Sequence, residues 1–242
     1  MGIRYTPDPA EVRGITADLL RTNGLQDAYF RFTVSAGPGL LGLPAGEYES
    51  PQVIMYVKAL PAPDPRLDAE GRPLQPLRLR RNTPEGEVRL KSLHYMNNIL
   101  AKREPQGYAS AALGAEGLLL DRQGRVSEGI VSNVFFIRGD RLGTPSLETG
   151  ILPGITRRFV MELVAEAGLA VEEGLYLWGH LEEADEVFLT NSVQEIVPVT
   201  SLFNTEGGLR RVGSGIAGVK TAELRSLYCK VAYESSGGDK KL

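Results

Sequence analysis

The sequence predicts an α/β chain of the α+β kind, with a small N-terminal α/β domain and a larger C-terminal domain. Three observations predict it. Apolar residues at helical spacing alternate with short runs rich in β-branched and aromatic residues, so helices and strands share the chain. Five prolines fall between Pro61 and Pro76, with Asp and Gly among them, and this linker chemistry divides the chain. The 242 residues are 42% hydrophobic and 24% charged, enough apolar material for a sizeable core in one or two domains.

Val12, Ile15, Leu19 and Leu20 lie at helical spacing between Asp8 and Asn23, and Asn23-Gly24 closes that helix. Ala28 to Ser35 (AYFRFTVS) and Val53 to Ala59 (VIMYVKA) read as partner strands, separated by a Gly/Pro-rich loop from Gly37 to Pro51. A helix is expected from Lys91 to about Arg103. Gly117 to Asp121 and Asn133 to Arg138 read as strands, with a turn at Arg122-Gln123-Gly124-Arg125 and a short strand after it. Ile155 to Ala167 carries Phe159, Val160, Leu163 and Val164 on one face and reads as a helix closed by Gly168. A short helix from Leu181 to Ala184, a buried strand from Val187 to Thr190 and a last helix from Thr221 to Ala232 follow. The boundaries are a small domain over 1–63, a linker over 64–76, a large domain over 77–234 and a disordered tail over 235–242.

Composition excludes several function classes. The net charge is -3 and no long basic run occurs, which argues against nucleic-acid binding. The single cysteine, Cys229, excludes an internal disulfide and reads as a half-buried thiol on the last helix. His94 and His180 are too few and too scattered for a zinc site, so no metal is expected. No apolar run reaches the length of a membrane span, and the N-terminus does not read as a signal peptide. A reducing cytoplasm is the simplest location.

Four segments carry the chemistry. Lys91 heads Lys91-Ser92-Leu93-His94-Tyr95-Met96-Asn97-Asn98-Ile99-Leu100-Ala101-Lys102, whose other members are mostly apolar or amide-bearing, an environment that favours a buried amine. Glu128 sits in Val126-Ser127-Glu128-Gly129-Ile130-Val131-Ser132-Asn133. Gly150-Ile151-Leu152-Pro153-Gly154-Ile155-Thr156 enters a helix, whose first N–H groups have no intrahelical acceptor. Thr190-Asn191-Ser192-Val193 follows a buried strand and supplies hydroxyls and N–H groups. Singly, each has an ordinary structural reading: a surface lysine, a turn carboxylate, a strand-to-helix turn, a loop. Together, in this order, they are what a pyridoxal phosphate site needs: an amine for a Schiff base, an acid for the pyridine nitrogen and two phosphate cradles.

The order K-S-x-x-x-x-x-N-x-L-A, E-G-x-x-S-N-x-F, G-I-L-x-G-I-T-R and A-D-E-V-F-x-T resembles the class IV pyridoxal-phosphate aminotransferases, the fold-type IV enzymes. The resemblance runs from about Ile15 to about Thr221. It implies a two-domain fold-type IV enzyme that uses pyridoxal 5'-phosphate, with Lys91 as the Schiff-base lysine and Glu128 on the pyridine nitrogen. It implies that Leu152 packs on the ring, that Ile155 and Thr156 bind phosphate through their N–H groups, and that Ser192 and Val193 form a second cradle. Arg31, Tyr95 and Asn191 are implied on the substrate side, in a homodimer with the site near its interface. Members of the family generally begin with further strands and a helix carrying a phosphate-binding arginine, so the small domain is expected to be truncated. The runs around Lys91 and after Thr190 look most like the 4-amino-4-deoxychorismate lyases, which form 4-aminobenzoate and pyruvate on the way to folate. A D-amino acid or branched-chain aminotransferase is the alternative within the family. A cofactor-free truncated paralogue, acting in binding or assembly, is the alternative outside enzymes.

Overall fold

Asp8 starts the first helix, α1 (Pro9–Asn23), by accepting a hydrogen bond from the Ala10 N–H at 2.8 Å. Proline is suited to the first turn because it has no N–H to leave unpaired. Gly24 ends the helix at φ 63°, its N–H turned back onto the Arg21 and Leu20 carbonyls. Strands β1 (Tyr29–Ser35) and β2 (Gln52–Lys58) pair antiparallel, with Arg31 opposite Tyr56. These elements make up the first of two units, Met1–Pro63. The structure, a computed structural model, describes residues 2–39, 41–42, 45–60, 62, 64–166 and 170–234. The expected tail over 235–242 and the expected helix stop at Gly168 lie outside the described residues.

The second unit, Asp64–Leu242, runs α2 (Arg66–Ala69), β3 (Arg72–Arg80), α3 (Met96–Arg103), β4 (Glu116–Leu120), β5 (Val126–Gly129), β6 (Asn133–Arg138), β7 (Arg141–Pro145), α4 (Ile155–Glu166), β8 (Ala170–Gly174), α5 (Trp178–Glu182), β9 (Glu186–Asn191), β10 (Glu195–Phe203), β11 (Leu209–Arg211) and α6 (Val219–Glu234). Among the described residues its strands form one mixed sheet in the order β5-β4-β3-β10-β9-β6-β7-β8, with β11 on β10. The sheet curls until its ends meet. The Val126 N–H of β5 bonds to the Tyr176 carbonyl just after β8 at 2.7 Å, and Arg125 bridges Leu177. Closure of this kind leaves few unpaired edges.

Period-two alternation then sorts side chains to two faces. Val134 and Phe136 of β6, with Val187 and Leu189 of β9, enter the core inside the curl. Phe135, Ile137 and Phe188 face outward into a second core under α4 and α6, with Val160, Leu163, Val164 and Leu224. Phe135 and Phe188 are register partners and stack at 5.0 Å. A third, smaller core of Leu77, Ala101, Leu119 and Ile130 seats α3.

The mixed fold and the individual strands β1, β2, β4, β6 and β9 follow the sequence reading. Three details differ. Residues 64–76 are not a linker: they hold α2 and the start of β3, which lies between β4 and β10. Pro73 and Pro76 hid this strand, since proline cannot donate to a ladder. It is accommodated where the ladders break, at a shift between Val199 and Ser201 beside Pro73 and one between Pro76 and Arg80. The helix expected from Lys91 begins only at Met96, behind Tyr95. The short helix expected from Leu181 lies earlier, at Trp178–Glu182.

Candidate active site

Glu128 is 4% exposed on β5 and is held from three directions. Its Oε2 accepts from the Leu152 N–H at 2.9 Å and lies 3.4 Å from Nδ2 of Asn133. Its Oε1 lies 2.7 Å from Nη2 of Arg81, in an ion pair with both side chains buried. Among the described residues no hydrogen bond to Oε1 is found beside this ion pair. Burial pushes the Glu128 carboxyl above the ordinary carboxylate range, and the Arg81 charge and the Leu152 N–H work against that rise. The exposed-turn reading of Glu128 is therefore excluded.

Asn133, the first residue of β6, joins the two cradles. Its Nδ2 donates to the Leu152 carbonyl at 3.0 Å. Its register partner is Thr190, which leads directly into Asn191 and Ser192. A side chain at Gly154 would put its Cβ 2.2 Å from Asn133 Oδ1, so only glycine lets the chain enter α4 against this amide. The helix begins with the Arg158 N–H bonded to the Gly154 carbonyl at 3.0 Å, which leaves the N–H groups of Ile155 and Thr156 without an intrahelical acceptor. Ile155 is exposed and Thr156 buried. Arg157, next along, is structural: it donates to the Pro145 carbonyl at 2.9 Å and pairs with Glu173 at 2.6 Å.

The second cradle is smaller than expected. Asn191 Oδ1 accepts from the Val193 N–H at 2.9 Å and from the Gln194 N–H at 2.8 Å, an Asx turn across the hairpin. The Val193 N–H is therefore spent on this turn, and the side chains of Ser192 and Val193 are both exposed. Thr190 Oγ1 is buried here without a hydrogen-bond partner among the described residues.

Lys91 is exposed rather than buried. It precedes α3 in an irregular stretch, and Leu90, Leu93 and Met96 near it are exposed as well. An ammonium group with no counter-charge beside it stays in water. Its segment is tied to the rest of the site through Arg89, whose Nε donates to the Gly150 carbonyl at 2.6 Å and whose Nη2 donates to the Asn82 carbonyl. Burial pushes the Arg89 guanidinium below its ordinary range, and the Arg81 charge adds to this. Tyr95 is exposed at the start of α3. Arg31 is exposed on β1 of the first unit.

Of the residues the sequence proposes for the site, Glu128, Leu152, Ile155, Thr156, Asn191 and Ser192 are brought to one end of the curled sheet. The residues that hold them are not among those proposed. Asn133 and Asn98 belong to the motifs and Asn97 lies between the motif positions Ser92 and Asn98, but none of the three had a role, and Arg81 and Arg89 carry no motif. A buried carboxylate needs a cation, and that need alone could have pointed to the Arg80-Arg81 pair.

The residues present fit pyridoxal phosphate. Oε1 of Glu128 retains acceptor capacity for a ring N–H, and the first turn of α4 offers unspent N–H groups to an anion. Among the described residues no cluster of His, Cys, Asp and Glu could hold a metal ion. A family model described as amino-transferase class IV matches residues 1–202. An aminodeoxychorismate lyase from Bacillus subtilis is 40% identical over 230 residues, covering 94% of this chain and 74% of the relative. The branched-chain amino acid aminotransferase of Escherichia coli is similar in structure, with a TM-score of 0.75 at 26% identity, covering 99% of this chain and 76% of that one. The branched-chain amino acid aminotransferase of Thermobaculum terrenum in its pyridoxal-phosphate form has a TM-score of 0.76 at 28% identity, covering 95% and 72%.

Proposed function

Because the chain belongs to the class IV aminotransferase family, we propose that it is a pyridoxal 5'-phosphate-dependent lyase. Its substrate would be 4-amino-4-deoxychorismate and its products 4-aminobenzoate and pyruvate, a step towards folate in the cytoplasm. The observation that carries the reading is the buried Glu128 with an open acceptor at Oε1, set beside the free first turn of α4. The 40% identity to a lyase over 94% of the chain favours this member of the family. When bound, the cofactor supplies an aldehyde for amines and a ring that withdraws electrons from a neighbouring carbon.

The chain's own groups take these roles. Lys91 Nζ would hold the cofactor and, as a free amine, would take the proton from the amine-bearing carbon of the substrate. As the enolpyruvyl group leaves, Lys91 or a bound water returns a proton to the departing enol. Glu128 would hold the ring nitrogen protonated. Leu152 would pack on the ring, and the N–H groups of Ile155 and Thr156, with Ser192, would hold the phosphate. Val193 is left as a lining residue. Tyr95 and Asn191 would face the substrate. The exposed apolar side chains of Leu90, Leu93 and Met96 support a homodimer that covers this surface.

The test supplies aminodeoxychorismate with no 2-oxo acid and measures 4-aminobenzoate and pyruvate together. Equimolar products support the lyase. Rapid D-glutamate from D-alanine and 2-oxoglutarate, with no aromatic product, would replace it with the aminotransferase. Absence of a visible absorption band after incubation with the cofactor would favour a cofactor-free protein.

A further inference from the structure

The Asn97-Asn98 pair and Arg81 take no part in the roles above, yet they are packed directly behind Glu128. Nη1 of Arg81 donates to Asn97 Oδ1 at 2.8 Å and to Asn98 Oδ1 at 3.0 Å. Each asparagine is itself fixed: Asn97 Nδ2 donates to the Arg80 carbonyl at 3.0 Å and Asn98 Nδ2 to the Ile130 carbonyl at 2.6 Å. Nη2 of the same guanidinium then reaches Glu128 Oε1 at 2.7 Å. We infer that Arg81, clamped by Asn97 and Asn98, is a positioning residue that holds Glu128 as a carboxylate and aims it at the ring nitrogen.

An isolated carboxylate taken out of water is expensive and neutralises by taking up a proton. A cation in contact with it works against that preference. A protonated Glu128 could not accept from a ring N–H through the protonated oxygen, and the ring would lose its counter-charge. Arginine suits the post because its planar fork serves two partners at once, one nitrogen for the asparagines and one for the carboxylate. Neutral side chains do the clamping, so the positive charge of Arg81 is left undivided for Glu128. The clamp also ties Glu128 to α3, the helix that follows the Lys91 segment, so the two principal groups of the site share one support. The charged groups that face Glu128 are Arg81 and, more weakly, Arg89, whose own surroundings include Glu85.

The role of the ring nitrogen rests on the proposed function; the state of Glu128 does not. The first experiment therefore uses the full chain without cofactor. Glutamate is labelled with carbon-13 at the carboxyl, the Glu128 resonance is identified by its loss in Glu128→Gln, and its titration is followed by NMR. Arg81→Met should raise the titration midpoint by about 1–3 pH units. Arg81→Lys should recover part of that rise, and Asn97→Ala combined with Asn98→Ala should raise the midpoint in the same direction. An unchanged midpoint in Arg81→Met, or Arg81→Lys behaving as Arg81→Met, overturns the inference. Should Arg81→Met fail to fold, an unchanged midpoint in the double asparagine variant overturns it. The second experiment loads parent and variants with pyridoxal phosphate labelled with nitrogen-15 in the ring. The ring-nitrogen shift should move toward the unprotonated value in Arg81→Met and return part-way in Arg81→Lys. A parent that does not bind the cofactor sinks the proposed function and leaves the first experiment decisive for Arg81.

Discussion

Replacing Gly154 with alanine tests the claim that Asn133 joins the two cradles. The added Cβ would sit 2.2 Å from Asn133 Oδ1 and 3.4 Å from its Cγ, so the amide must swing away. Overpacking of this kind costs about 1–3 kcal/mol. The swing also breaks the 3.0 Å bond from Asn133 to the Leu152 carbonyl, worth about 0.5–1.5 kcal/mol. The expected loss is about 2–4 kcal/mol, read as a lower urea midpoint at unchanged slope. Cofactor affinity should fall with it, because Leu152 and the start of α4 are displaced together. The same substitution made in an Asn133→Ala background should cost no more than about 1 kcal/mol, since the clash is gone and only the poorer fit of alanine at the N-cap remains. A Gly154→Ala protein within about 0.5 kcal/mol of the parent, or strict additivity in the double variant, would refute the reasoning.

Three further outcomes follow from the same structure. Glu128→Gln should leave a folded protein with turnover lower by at least about tenfold, since a charged hydrogen bond is worth about 1.5–3 kcal/mol; steady-state assays showing parental turnover would contradict it. Lys91→Ala should unfold at the same denaturant concentration as the parent, because Lys91 is exposed, while losing covalent attachment of the cofactor; a marked loss of stability would contradict the placement. Burial raises the pKa of Glu104, but its bonds from the Tyr108 hydroxyl and the Arg78 and Leu79 N–H groups outweigh this and hold it below the ordinary range. Its contribution is thus present above the unfolded value of about 4.3 and is lost as pH falls through the lower folded value. Glu104→Gln should therefore destabilise at pH 7 and cost less as acid unfolding proceeds, and an equal cost at both ends of the titration would contradict this.

Elements whose period or caps were strong could be read directly from the sequence. Asp8 and Gly24 mark α1, and the run from Asn133 to Arg138 is β6 to the residue. Strand β3 could not be read, because Pro73 and Pro76 carry the signature of a linker and only the breaks in two neighbouring ladders make room for them. Strands β7, β8 and β10 also escaped, since Arg141 to Pro145 and Ala170 to Gly174 lack a clear alternation and depend on the curl of the sheet for their partners. Within the site, the groups with a chemical signature were legible: the acid Glu128, the glycine turn before α4 and the hydroxyl of Ser192. The burial of Lys91 was inferred from its neighbours and is not found, because a segment's composition does not say what will cover it. The Asx turn that occupies Val193 arises from the Asn191 side chain, and the Arg81 ion pair joins residues 47 positions apart.

The most direct test of the central claim is to incubate the protein with pyridoxal 5'-phosphate, reduce with borohydride and map the modified peptide. The account expects the reduced cofactor on Lys91 and its loss in Lys91→Ala. Label found mainly on Lys220 or Lys102, or persisting in Lys91→Ala, would contradict it.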